Sequence, residues 1–199
     1  MNRMVELNRN LSDSAADFAT IVWPAFATVP EIGGGEIRPV ESDTETGFAR
    51  ELDMRSGIDA WQLFGNAQGM RGIASRVQWS GDYRSFTIRY KYSSGQESEY
   101  FKRLYAIENA GEGILYPHLT IQAFLSGRGG ALLSAAAIPT RELILHAKRL
   151  FDWGAMREHG DSRFGLRTGA DGTCFIYLSW DYILHSQIAG ALIQPSIPR

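Results

Sequence analysis

The run SFTIRYKYS, residues 85–93, sets Phe86, Ile88 and Tyr90 on one side of an extended chain and Thr87, Arg89 and Lys91 on the other. Successive side chains of a strand point to opposite faces, so this alternation specifies a strand with one face on a core and one in water. A helix would scatter the same residues around its circumference. The chain therefore contains a sheet, and the rest of the sequence is read for what completes it.

Other segments supply strands. LTIQAFLS and ALLSAAAIPT flank GRGG at 127–130, which reads as a hairpin turn and lacks the G-x-x-x-x-G-K-[ST] pattern of a phosphate loop. A strand, a turn, a further strand and a Gly-rich turn at 65–72 lead into GIASRVQWS, and GDY at 81–83 signals a turn. GTCFIYLSWDYIL reads as a late apolar strand, and EIRPVE as a short edge strand. Residues 31–47 are acidic and Gly-rich and read as a loop or lid.

Three stretches have helical spacing. Residues 12–29 carry Phe18, Ile21 and Val22 at that spacing, with Ser12 as N-cap, Asp13 in the first turn, and Pro24 kinking or ending the helix. SGQESEYFKRLYAIENAG predicts about three turns, favoured by Glu97 and Glu99 near the N-terminus and by the Glu99–Arg103 pair at i,i+4. RELILHAKRLFDW predicts another helix, capped by Thr140. This order predicts a mixed α/β (α+β) fold with a central mixed sheet flanked by helices. A length of 199 residues suits one domain over 1–199 that buries its own core.

Composition narrows the functional classes. Net charge is −2 and 44% of residues are hydrophobic, a globular profile with no overall basic excess. Cys174 is the only cysteine, so an internal disulfide is excluded; it reads as a small core hydrophobe in a reducing, cytoplasmic setting. The N-terminal stretch lacks a signal peptide's apolar region, and no run of about 18 apolar residues predicts a membrane span.

The charges are distributed unevenly. From Glu31 to Asp59 there are eight carboxylates (Glu31, Glu36, Glu41, Asp43, Glu45, Glu51, Asp53 and Asp59) against three arginines. From Arg71 to Arg103 there are seven bases (Arg71, Arg76, Arg84, Arg89, Lys91, Lys102 and Arg103) against three acids. Carboxylates hold a hard cation that activates water, and bases fix a polyanion, so the pattern suits phosphodiester chemistry. It equally suits two solvated faces of a sheet. Tyr83, Tyr90 and Tyr92 lie among the bases, where rings can stack on unpaired nucleobases or simply belong to the core. The four histidines have no ligand spacing; His146 reads as structural and His118 as a polar residue at a strand edge or in a cleft.

SGIDAWQLF, carrying Asp59, followed by the strand ASRVQW, a helix and further strands, resembles the PD-(D/E)xK nuclease superfamily over roughly residues 12–125. The resemblance implies a restriction-endonuclease-like core, with segment 126–190 completing its sheet. It implies Mg²⁺ held by Asp59 with Asp53 or Glu51, Gln78 in the acidic position of the motif, and nucleic acid held by Arg76, Arg89, Lys91, Lys102 and Arg103. The sequence departs from the motif at Ser80, where the family has lysine; Lys91 on the next strand is the candidate replacement. In the other register, Arg76 and Gln78 fill the pair and the acid is lost. Two readings follow: metal-dependent phosphodiester hydrolysis, or a non-catalytic protein on an inactivated nuclease fold. The latter would bind nucleic acid, or a basic protein partner through the acidic 31–47 loop.

Overall fold

The computed structural model describes residues 10, 12–40, 56–65, 69–158 and 160–197. The fold is mixed α/β, as predicted, with its strands divided between two sheets. The first sheet contains β1 (Glu36–Pro39), β2 (Ala60–Leu63), β3 (Met70–Gln78), β5 (Leu119–Leu125) and β6 (Leu132–Pro139), in that spatial order. Only the β3–β5 pairing is parallel. The crossover between those two strands carries β4 (Ser85–Lys91) and helix α2 (Glu99–Glu108). The second sheet is antiparallel, ordered β4, β8 (Cys174–Ser179), β7 (Phe164–Thr168).

Helix α1 runs over 12–27, with a π turn at Phe18–Val22 before its last segment, Trp23–Ala27. Pro24 therefore does not end it. Proline removes a backbone donor, and the wider turn upstream carries the chain past the missing bond. Ser12 is already helical and is not the N-cap. The buried face of α1 (Phe18, Val22 and Phe26) covers one face of the first sheet, meeting Ile73, Val77, Ile121 and Leu125. The other face of that sheet, through Phe124, Ala136 and Ile138, joins a second core with Phe86, Ile88, Ile176 and Leu178 of the second sheet and with α3 (Thr140–Asp152) and α4 (Trp180–Leu184). Covered on both sides, β5 is buried along its whole length.

Several expectations need correction. Thr140 is the first residue of α3, and its hydroxyl pairs with that of Thr120 at 2.8 Å instead of capping the helix. The late apolar run is a strand only to Ser179, whose hydroxyl accepts the Tyr182 N–H at 3.1 Å and starts α4. Of the segment expected to complete a single sheet, only β6 joins the first; β7 and β8 pair with β4. Cys174 is half-buried at the start of β8, and burial pushes its thiol pKa up. No described helix is long and apolar enough to cross a membrane.

The β4 alternation holds as far as Arg89. Phe86 and Ile88 are fully buried, while Thr87 and Arg89 lie opposite Tyr177 and Phe175 of β8. Register then shifts, and Lys91 pairs with Cys174. Cys174 belongs to the opposite row of β8 from Phe175, so the irregularity takes Lys91 out of the Thr87–Arg89 row, contrary to the strict alternation.

Candidate functional site

A cavity of about 480 Å³ lies between β3 and the outer face of the second sheet. Arg76 and Gln78 of β3 form one wall; Ser85 and Thr87 of β4, and Phe175, Tyr177 and Ser179 of β8, form another. Arg167 and Thr168 of β7 and Tyr83, on the loop before β4, complete the rim. The cavity exists because β8 obeys period 2. Ile176 and Leu178 go to the core, which forces Phe175, Tyr177 and Ser179 outward. Among the described lining residues, none is acidic.

The arginines are held by rings. The Arg76 guanidinium carbon lies 5.4 Å from the centre of the Phe175 ring, and that of Arg167 lies 5.0 Å from the centre of Tyr177. These contacts are within cation–π range. Tyr83 is 62% exposed and packs edge-on against Phe124. Gly81 sits behind it with φ +75°, and a Cβ there would come within 2.8 Å of the Tyr83 ring. Only glycine meets both demands at that bend.

Beneath the cavity, Arg76 belongs to a semi-buried network of charges. Its Nη2 donates to Glu99 Oε2 at 3.2 Å, and its Nη1 donates to the Thr87 hydroxyl at 3.1 Å. Glu99 also accepts from Arg103 Nη2 at 2.7 Å and from the backbone N–H of Arg89 at 3.2 Å. Gln122, across the ladder from Arg76, accepts from the Thr87 hydroxyl at 3.1 Å. Burial lowers the Arg76 pKa, with Glu99, and more weakly Asp59, acting in the other direction. The guanidinium stays charged at any physiological pH. Burial alone would raise the Glu99 pKa, but Arg103 and Arg76 hold it below the ordinary carboxylate value.

The expected site residues are only partly brought together. Asp59 is half-buried just before β2, and its Oδ2 accepts the backbone N–H of Ser75 at 2.6 Å. There it continues the β2–β3 ladder by a side chain, and it does not line the cavity. Gln78 does line it, beside Arg76. Lys91 lies beyond the irregularity in β4, its ammonium 5.2 Å from the centre of the Tyr90 ring, outside the cavity lining. Arg89 follows Thr87 on the outer row and donates to the Tyr92 hydroxyl at 3.3 Å. Lys102 is exposed on α2. Arg103 is 4% exposed, its guanidinium turned inward to Glu99, so it is not placed to meet a polyanion at the surface. Glu51 and Asp53 lie outside the described residues, as does 41–47 of the acidic loop. Among the described residues, no group of three or more His, Cys, Asp or Glu could hold a metal ion.

The histidines divide as expected in one case. His146 is buried, with Nε2 against the Tyr182 hydroxyl at 3.0 Å and Nδ1 facing Arg149 at 3.2 Å. His118 is exposed and stacks on Tyr116. Sequence reasoning missed Arg167, Phe175 and Tyr177. The signal was there for the two rings, since they alternate with Ile176 and Leu178, but it was read only as a buried strand. Nothing in the sequence linked Arg167 to Arg76.

No family model, no curated protein and no solved structure matches this chain.

Proposed function

We propose that this protein binds nucleic acid at the cavity face of the second sheet, as a binding protein and not through metal-dependent cleavage. One observation carries this reading. Two ring-stacked arginines from different sheets, Arg76 and Arg167, face one recess that also holds Tyr83, Phe175 and several hydroxyls, with no carboxylate in its described lining. Arginine recognises phosphate oxygens through paired N–H groups, while aromatic rings stack on unpaired bases. Arg89, next along the outer row, extends the basic surface beyond the recess.

Arg76 also supports binding over cleavage. Its guanidinium is paired with Glu99, and Asp59 acts on it only as a weaker opposite charge. A fixed guanidinium there supplies positive charge to a phosphate but cannot activate water as a metal does. The resemblance to PD-(D/E)xK nucleases then fits the register in which Arg76 and Gln78 occupy the motif pair and the acid is lost.

The test is a filter-binding salt titration with single-stranded and duplex oligonucleotides, run beside a cleavage assay in Mg²⁺ and Mn²⁺. Binding should weaken steeply with salt, and Arg89→Ala should make the slope shallower by about one contact for every sequence alike. Salt-independent binding would remove the electrostatic basis of the reading. Cleavage in Mg²⁺ that Asp59→Asn abolishes would replace it with the hydrolytic one.

A further inference from the structure

We infer that the ligand of this cavity is single-stranded, with one unpaired base stacked on Tyr83, and that the strained bend at residues 81–84 is the device that presents that ring. This rests on the nucleic-acid reading above and narrows its ligand to a strand with unpaired bases.

The backbone comes first. The bend joins β3 to β4 and so carries the chain from the first sheet to the second. Arg84 has φ +44° there, and among the described residues it alone has a positive φ without being glycine. Left-handed backbone crowds a Cβ against the following carbonyl oxygen, so a residue like arginine is seldom held in it. Such strain persists only where the surroundings impose it, and it gathers at functional sites. Here the surroundings are identifiable. The Arg84 carbonyl accepts the Trp180 N–H at 2.8 Å, at the start of α4. Asp82 is engaged through both oxygens: Oδ1 accepts from the Ser134 hydroxyl of β6, and Oδ2 accepts from Arg84 Nε at 3.2 Å. The bend is therefore pinned to β6 on one side of Tyr83 and to α4 on the other.

A crossing between sheets needs a bend, but it does not need an open aromatic ring on it. Tyr92, Tyr105 and Trp153 are exposed as well, yet of these rings Tyr83 alone lines the cavity. Edge packing on Phe124 and the close approach of Gly81 fix its tilt. A ring fixed before the ligand arrives has little freedom left to lose on binding. Asp82, the acid next to it, would repel a phosphate if its oxygens were free, but Ser134 and Arg84 occupy them. Bases in a duplex stack on one another, so Tyr83 could reach a base face only after that base is unstacked. A single strand offers such faces at little cost.

The test is fluorescence anisotropy with three labelled ligands: an unstructured single strand, the same sequence as a duplex, and an abasic strand with the same number of phosphates. The single strand should bind about tenfold or more tightly than the abasic one, and more tightly than the duplex. Tyr83→Leu should bring the single strand down to the affinity of the abasic one, and Tyr83→Trp should keep the preference. Arg84→Gly and Arg84→Ala remove the same charge, but only glycine also relaxes the bend. Arg84→Gly should therefore melt no earlier than Arg84→Ala and yet lose the single-strand preference that Arg84→Ala keeps. Equal binding of the single and abasic strands by the wild type would overturn this inference and leave the nucleic-acid reading in place. An undiminished preference in Tyr83→Leu would overturn the assignment to Tyr83, and equal preferences in the two Arg84 variants would overturn the role of the strained bend. Failure of all three ligands to bind would overturn both this inference and the reading on which it rests.

Discussion

In the first sheet, β5 is buried from Leu119 to Leu125, with Ile121, Ala123 and Leu125 under α1 and Phe124 in the core shared with the second sheet. In the second sheet, β8 buries Ile176 and Leu178 but turns Phe175, Tyr177 and Ser179 to a cavity. Aromatic residues occur in both strands, yet they work differently. Phe124 is fully enclosed and serves stability, whereas Phe175 has one face left for a cation. A strand covered on both sides, as β5 is, has no face to offer a ligand. A three-stranded sheet covered on one side does, and polar residues on its open side are candidates for binding.

The largest test of that contrast is a pair of truncations. Phe124→Ala should cost about 3–5 kcal/mol in urea unfolding, because the ring is enclosed and a cavity remains. Phe175→Ala should cost about 1 kcal/mol, roughly the loss of its contact with Arg76, while weakening ligand binding. Equal losses at the two sites would break the comparison.

Next is the charge network between the sheets. Glu99→Gln removes the counter-charge of Arg76 and Arg103 and should cost about 3 kcal/mol. The same interaction predicts a pH dependence. Glu99 has a folded-state pKa held below its ordinary value of 4.5, so its contribution is fully present above that value. It is lost as pH falls through the lower folded pKa. Wild-type stability should thus drop below about pH 4.5, and Glu99→Gln should flatten that part of the profile. An unchanged acid limb in the variant would show that the network contributes no such linkage.

Smaller effects are expected at the rim. Gly81→Ala forces a side chain onto a left-handed bend and against the Tyr83 ring, at a cost of about 1–2 kcal/mol. It should also weaken binding by displacing Tyr83; unchanged affinity would remove Tyr83 from the site. Arg167→Ala should change stability by less than about 0.5 kcal/mol, since Arg167 is exposed at the end of its strand. A larger loss would make Arg167 a structural residue instead of a ligand contact.

Much of the fold was legible because its strands obey simple periods. Phe86, Ile88, Thr87 and Arg89 fell on the expected faces, and GRGG formed the expected hairpin turn. The register shift beyond Arg89 was not legible, because an irregularity in a ladder depends on the partner strand. Ser179 was hidden inside an apolar run, although a serine directly before a helical turn is a capping signal. Strand β7 is short and contains Gly165, so its pattern was too weak to read. The Glu99–Arg103 pair was read correctly as i,i+4 neighbours, but its burial arises from packing against strands that come from elsewhere in the chain. The site was the least legible part. Arg76 and Arg167 are 91 positions apart in the chain, and only the placement of β7 and β8 beside β4 sets them around one recess.

The central claim is that the open face of the second sheet is where the ligand binds. Backbone amide NMR of the labelled protein, titrated with a single strand, tests it most directly. The account predicts shifts concentrated at Arg76, Gln78, residues 83–89, 162–169 and 175–179, with β1 and α1 unmoved. Shifts centred on β1 or α1, with residues 175–179 unchanged, would contradict it.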